Sequence, residues 1–187
     1  MNIAIISGSP RKVSLTHRIA LFLKNQLTAK TSHDINIIDV RDWNLPFLQE
    51  GFSSVEKTPE QFKPLAELVF AADAFILVTP EYNGSYSPAL QNLLDHFPKQ
   101  SHKAFGLAPA STGGMGGMRA SQQLLLLVPA LFGIASPYML VTPFVDKKFT
   151  EEGELLDENF QKMVDTFLNE FLWLAETIKP ETVTVYN

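Results

Sequence analysis

The chain has 187 residues, 45% of them hydrophobic and 19% charged, with a formal net charge of −5. That length suits a single domain over residues 1–187, burying roughly 70% of its unfolded surface, and no run approaches the ~18 to 20 apolar residues of a membrane span. The absence of cysteine excludes disulfides, thiolate nucleophiles and Cys-ligated zinc, and the acidic balance argues against a nucleic-acid surface, which needs clustered Lys and Arg.

The opening MNIAIISGSP lacks a basic flank and a cleavage-like segment, and its apolar run leads into a turn. It reads as the first strand of a cytoplasmic protein and not as a signal peptide. Apolar, β-branched runs then recur at 3–7 (IAIIS), 35–40 (INIIDV), 74–79 (AFILVT), 104–110 (AFGLAPA) and 137–141 (PYMLV). Runs this continuous predict strands buried on both faces, as in a parallel sheet. Between them lie helical stripes: Ile19, Ala20, Leu23 and Leu27; then Phe62, Leu65, Ala66 and Val69; then Leu90, Leu93, Leu94 and Phe97. The last and clearest stripe is Phe160, Met163, Val164, Phe167, Leu168, Phe171, Leu172 and Ala175. The alternation predicts an α/β fold, a doubly wound five-stranded sheet with helices on both faces and right-handed crossovers.

The fourth helical segment, LLLLVPALF, is apolar all round and contains Pro129, so it must be covered on more than one side. A homodimer contact and a deeply buried helix both satisfy that requirement. The tail PETVTVYN alternates like an edge strand. Trp43 and Trp173 read as packing residues, and Asp95 as a helix-surface charge or a partner for a neighbouring subunit. His17, His33, His96 and His102 have no metal-ligand spacing, so no metal site is expected.

In open doubly wound sheets, ligands bind beyond the carboxyl ends of the strands. Three loops there are unusual. SGSPRKVSLTHR carries Ser7, Ser9, Ser14 and Thr16 around Arg11, Lys12 and Arg18, and hydroxyls with a guanidinium at a helix N-terminus suit a phosphate. Plain helix capping by Ser14 or Thr16 is the alternative. The loop has neither GxxxxGK[ST] nor GxGxxG, and no Asp ends strand three, which leaves a mononucleotide such as FMN. In TPEYNGSY, Tyr82 and Tyr86 offer aromatic surface, and Asn83 and the amides around Gly84 can hydrogen-bond a flat heterocycle. Glu81 reads instead as a carboxylate that bonds backbone amides. In ASTGGMGGMR, four glycines in five residues let backbone approach a ligand closely.

GSPRKVSLTHRIA, TPEYNGSYSPALQNLLDHF and APASTGGMGGMRA together resemble the NADPH-dependent FMN reductase family over about residues 1 to 145. This family of flavodoxin-like flavoenzymes includes quinone, azo-dye and chromate reductases. The resemblance implies a sheet of order 2-1-3-4-5, noncovalent FMN, NADPH or NADH as electron donor, a ping-pong reaction with a small-molecule acceptor, and a homodimer or homotetramer. By position, Ser9, Arg11, Ser14 and Thr16 would hold the phosphate. Pro80, Glu81, Tyr82, Asn83, Gly84 and Ser85 would line the ring system and ribityl chain, with Ser111, Gly113 and Gly114 at the pyrimidine end. No acid-base residue is implied, because FMN carries the chemistry. Thr16, Gln91 and His96 stand where the family usually has Asn, Lys and an aromatic. A flavodoxin-like electron carrier and a non-catalytic flavin-binding regulator are the competing readings.

Overall fold

The computed structural model describes residues 1–179; the expected edge strand in the tail lies outside them. Five strands, β1 (Asn2–Ser7), β2 (Asp34–Asp39), β3 (Ala74–Pro80), β4 (Ala104–Ala110) and β5 (Ile134–Ala135), alternate with five helices. The helices are α1 (Leu15–Lys30), α2 (Lys63–Ala71), α3 (Pro88–Asp95), α4 (Met118–Ala130) and α5 (Gln161–Ile178). All strand pairs are parallel and their order is 2-1-3-4-5, the predicted doubly wound, flavodoxin-like arrangement.

Successive residues of a strand face opposite sides of the sheet, which is why unbroken apolar runs were needed. Ile3, Ile5, Ile76 and Val78 pack under α1 and α5, while Ala4, Ile6, Phe75 and Leu77 pack under α2, α3 and α4. The stripes Ile19, Leu23 and Leu27 of α1 and Val164, Phe167, Leu168 and Phe171 of α5 are fully buried. Each such side chain contributes about 1.5–3 kcal/mol of transfer free energy.

Three predicted details change. The fifth strand is assigned at Ile134–Ala135 and not over 137–141, because Pro137 has no N–H to give the ladder. Ala104 pairs with Ile134, an offset of 134 − 104 = 30, but Ala110 pairs with Thr142, an offset of 142 − 110 = 32. The chain thus takes up two extra residues around Pro137 and rejoins β4 through Leu140 N to Leu107 O (2.9 Å) and Thr142 N to Pro109 O (3.0 Å). On α5, Trp173 is exposed and Leu174 takes the buried place, since 174 continues the i, i+3, i+7 row of 164, 167 and 171 while 173 falls off it. On α4, Leu124, Leu127 and Val128 are buried, but Leu126 is 69% exposed and Phe132, just beyond the helix, 62%.

Candidate functional site

β1 and β3 are neighbours, yet the chain leaves β1 for β2 and re-enters at β3 from the other face. The loops beyond these two strands therefore diverge and leave a crevice, the switch point where such folds bind ligands. A cleft of about 200 Å³ occupies it. Its walls are Ser9, Arg11, Val13, Leu15 and Thr16 from the first loop and helix, Pro80, Glu81 and Tyr82 after β3, Ala110, Ser111 and Thr112 after β4, and Val145.

At the α1 end, Ser9 and Thr16 are buried hydroxyls. Ser14 is the N-cap of α1, its Oγ accepting from His17 N at 3.1 Å and lying 3.1 Å from Thr16 Oγ1, so the capping alternative holds for Ser14. The other first-turn amides have no partner within the helix, and no acidic residue stands in that turn. Arg11 makes no ion pair among the described residues; its guanidinium lies 5.1 Å from the centroid of the Tyr82 ring, a cation–π contact that joins two walls of the cleft.

Behind this loop stands a cluster with no counterpart in the sequence-based expectations. The Ser7–Asp39 pairing of β1 and β2 brings Asp39 beneath α1, where it accepts from Arg41 Nε at 2.9 Å and lies 2.9 Å from His17 Nδ1. Burial alone would raise the Asp39 carboxyl, but the hydrogen bonds from His17 and Arg41 outweigh it and hold the carboxyl well below the usual carboxylate range. Arg41 also donates to Lys12 O at 3.0 Å and so fixes the loop from outside. Ser7, His17 and Asp39 are no hydrolytic triad. Ser7 Oγ (3.1 Å) and Asp39 both approach the same ring nitrogen, Nδ1, whereas proton relay from a serine needs the opposite nitrogen, and Ser7 is fully buried.

The helix end across the cleft is already filled. Glu81 Oε2 accepts from the first amides of α4, Arg119 N at 3.0 Å and Ala120 N at 3.3 Å, with the Arg119 guanidinium 3.8 Å away. Glu81 thus lines the cleft and holds backbone amides at once. The following residues form a tight hairpin. Tyr82 and Ser85 exchange backbone hydrogen bonds of 2.8 and 3.1 Å, and Asn83 (φ +52°) and Gly84 (φ +81°) both occupy the left-handed region that an Asn-Gly turn demands. The turn holds Tyr82 against the cleft, and its hydroxyl is buried without a hydrogen-bond partner among the described residues. Tyr86 turns away: it donates to Gln91, whose amide donates to Asp95, and burial, then the Asp95 charge, raises its hydroxyl pKa.

The four glycines after β4 divide into pairs. A Cβ on Gly116 (φ +61°) would lie 2.6 Å from Pro143 N, and one on Gly117 (φ +90°) 2.8 Å from Ala110 N, so these two serve the packing of the loop on its own scaffold. Gly113 and Gly114 have room, their nearest neighbours being Ser111 Oγ at 3.8 Å and the Phe144 ring at 3.4 Å. This outer pair is not held by packing as the inner pair is, although the Phe144 ring covers Gly114.

Of the thirteen residues singled out from the sequence, Ser9, Arg11, Thr16, Pro80, Glu81, Tyr82 and Ser111 line one cleft. Ser14 supports it as a cap, while Asn83, Gly84, Ser85, Gly113 and Gly114 stand outside its lining. Val13, Leu15, Ala110, Thr112 and Val145 complete the walls. Thr112 sat within a recognised motif, but Val145 is brought in by the β4–β5 register and no local signal marks it. Among the described residues no three His, Asp or Glu side chains converge as a metal site, and no helix is long and apolar enough to cross a membrane.

Comparison with known proteins identifies the family and the fold. The "NADPH-dependent FMN reductase" family model matches residues 1–143. The "FMN-dependent NADPH-azoreductase" of Staphylococcus haemolyticus is 32% identical over 177 residues, covering 90% of this chain and 92% of that protein. The "NADPH azoreductase" of Bacillus sp. strain OY1-2 is 30% identical over 157 residues, covering 83% and 82%. Among solved structures, the flavoenzyme FerB of Paracoccus denitrificans superposes with a TM-score of 0.78 at 21% identity, covering 96% of this chain and 99% of that one, a likeness of fold. The chain belongs to the NADPH-dependent FMN reductase family and is an oxidoreductase of the flavodoxin-like fold.

Proposed function

We propose that this protein holds FMN noncovalently in the cleft between β1 and β3, accepts electrons from NADPH, and delivers them to a small planar acceptor. The observation that carries this reading is the contrast between two helix N-termini at the cleft. That of α4 is neutralised by Glu81, whereas that of α1 has no acidic residue and is flanked by Ser9, Thr16 and Arg11. Unpaired amides, hydroxyls and a free guanidinium are the donor set of a phosphate site.

The remaining walls fit a flavin. Pro80 and Tyr82 give flat surface, and Ser111 with Gly113 leaves open backbone at the far side. FMN held there would supply two-electron redox chemistry, acting as hydride acceptor toward NADPH and as two-electron donor toward an acceptor such as a quinone, whose second proton would come from water. The protein binds and orients. Arg11 neutralises the phosphate while its stack on Tyr82 keeps the two walls at fixed spacing, and the Asp39–Arg41 clamp holds the loop in shape. No side chain has to exchange a proton for this role.

Relatives named as azoreductases favour azo compounds as acceptors, with quinones and free flavin of the same flat, electron-poor class. We read the protein as one domain that works in the cytoplasm and pairs with a second copy through the exposed Leu126 and Phe132. The test is the visible absorbance of FMN-reconstituted protein before and after anaerobic NADPH. Bleaching of a bound flavin band is the expected result. A bound flavin that NADPH leaves yellow rejects enzyme in favour of carrier or regulator, and a protein that retains no flavin rejects the site.

A further inference from the structure

One wall residue of the cleft and two residues on neighbouring stretches of its loops expose apolar side chains to water. Val13 is 75% exposed, Met115 58% and Phe144 48%, each on a segment that contributes a residue to the cleft wall. Phe144 is the one of the three with a strained backbone, a feature it shares with the exposed Phe132 (φ +59°) beyond α4. The Phe144 φ is +50°, in the left-handed region that bulky residues rarely occupy. The backbone imposes that angle: Ser111 N donates to Thr142 O, Thr142 N to Gly116 O and Val145 N to Ser111 O, each at 3.2 Å, stapling residues 142–145 onto the glycine loop. Glycine would meet this turn without strain. A half-exposed phenylalanine there combines backbone strain with apolar surface in water, two costs that its contact with Gly114 offsets only in part.

Its position offers a basis beyond stability. The ring lies over Gly114, whose Cβ, if present, would be 3.4 Å from the ring Cζ, and the next residue, Val145, is part of the cleft wall. The Lys147 ammonium lies 6.0 Å from the ring centroid, placing a cation at the same rim. We propose that Phe144 is an acceptor-specificity residue: its ring stacks on the flat second substrate, an aromatic azo compound with an acidic substituent, and selects it over acceptors with no planar face. This inference rests on the FMN reading above and adds the residue that recognises the acceptor.

The test compares wild type with Phe144→Gly, Phe144→Leu and Phe144→Tyr. It measures the FMN dissociation constant, the thermal midpoint of the FMN-free protein, and equilibrium dialysis of methyl red against the oxidised FMN-loaded protein. It also measures KM and kcat for methyl red and for ferricyanide, an octahedral acceptor with nothing to stack. Phe144→Gly should keep FMN affinity within about twofold, hold or raise the midpoint as strain is relieved, and weaken methyl red binding about tenfold, with ferricyanide turnover unchanged. Phe144→Leu should lose dye affinity as well, while Phe144→Tyr should retain it. Unchanged dye affinity in Phe144→Gly and Phe144→Leu overturns the proposal, as does an equal loss in Phe144→Tyr or for ferricyanide. A wild-type protein that retains no FMN is a separate failure, that of the function reading, and it is visible before any variant is made.

Discussion

Two helices begin at the cleft, and they treat the same electrostatic problem in opposite ways. Each N-terminus concentrates unpaired amides and a partial positive charge. At α4 the protein supplies its own anion, Glu81, accepting from Arg119 N and Ala120 N, and anchors the hairpin loop with it. At α1 the one capping side chain is neutral Ser14, and the carboxylate beneath the helix, Asp39, is turned to His17 and Arg41. The first arrangement is structure and the second is capacity for a ligand. Substitutions on the α4 side should therefore act on folding, and those on the α1 rim on FMN affinity.

The largest expected effect lies on the α4 side. Gly117→Ala places a Cβ 2.8 Å from the amide nitrogen of Ala110 at a φ of +90°, which should remove about 3 kcal/mol or more of stability. Urea unfolding checks it, and a loss below ~1 kcal/mol would show that the loop relaxes. Asp39→Asn comes next and tests the scaffold beneath α1. It removes the charge that holds Arg41 and His17 and should destabilise by about 2 kcal/mol, less than for a fully buried ion pair because Arg41 is partly exposed. The effect depends on pH in a definite sense. The folded carboxyl is depressed, so its contribution is complete above the ordinary carboxylate pKa of about 4 and is lost as pH falls below it. Wild type and variant should differ fully at pH 7, and the difference should shrink progressively below pH 4 while part of it remains at pH 3, in parallel urea titrations.

Arg11→Ala acts on the open helix end. It should weaken FMN binding by about 1–3 kcal/mol, the range for a hydrogen bond to a charged group, with little change in the unfolding midpoint. Fluorescence titration of FMN measures the first and thermal melting the second. A large loss of stability would instead make the Tyr82 stack the main role of Arg11.

The frame of the fold was legible because it depends on local pattern. Unbroken apolar runs placed β1 to β4, and the sheet order followed from the resemblance of three loops. What depended on register was not legible. Asp39 closes β2 as an ordinary acidic residue until pairing with Ser7 sets it under His17. Val145 joins the cleft, and β5 moves to Ile134–Ala135, only through two residues of slack around Pro137. The loops were half legible. Asn83-Gly84 carried a hairpin signal beside the ligand-contact reading, and the glycine run read as one feature although Gly116 and Gly117 meet backbone within 3 Å while Gly113 and Gly114 have room for a Cβ. Sequence marked where the backbone was special, but only the neighbours decided what it was special for.

The smallest predicted effect is the most discriminating. Glu81→Gln keeps an oxygen that can accept from one α4 amide but removes the charge facing that helix end. The lost charge–dipole term is about 0.3–1 kcal/mol. The exposed Arg119 guanidinium, 3.8 Å away, contributes little more. Stability should fall by about 1 kcal/mol while FMN affinity stays within about twofold, the mirror image of Arg11→Ala. Glu81 and Arg11 line the same cleft, so proximity to the ligand predicts similar effects on binding for both. If Glu81→Gln instead raises FMN affinity tenfold, the α4 terminus also faces the phosphate, and Glu81 opposes the anion that α1 attracts. The contrast would then be one of rivalry between the two helix ends and not of separate tasks.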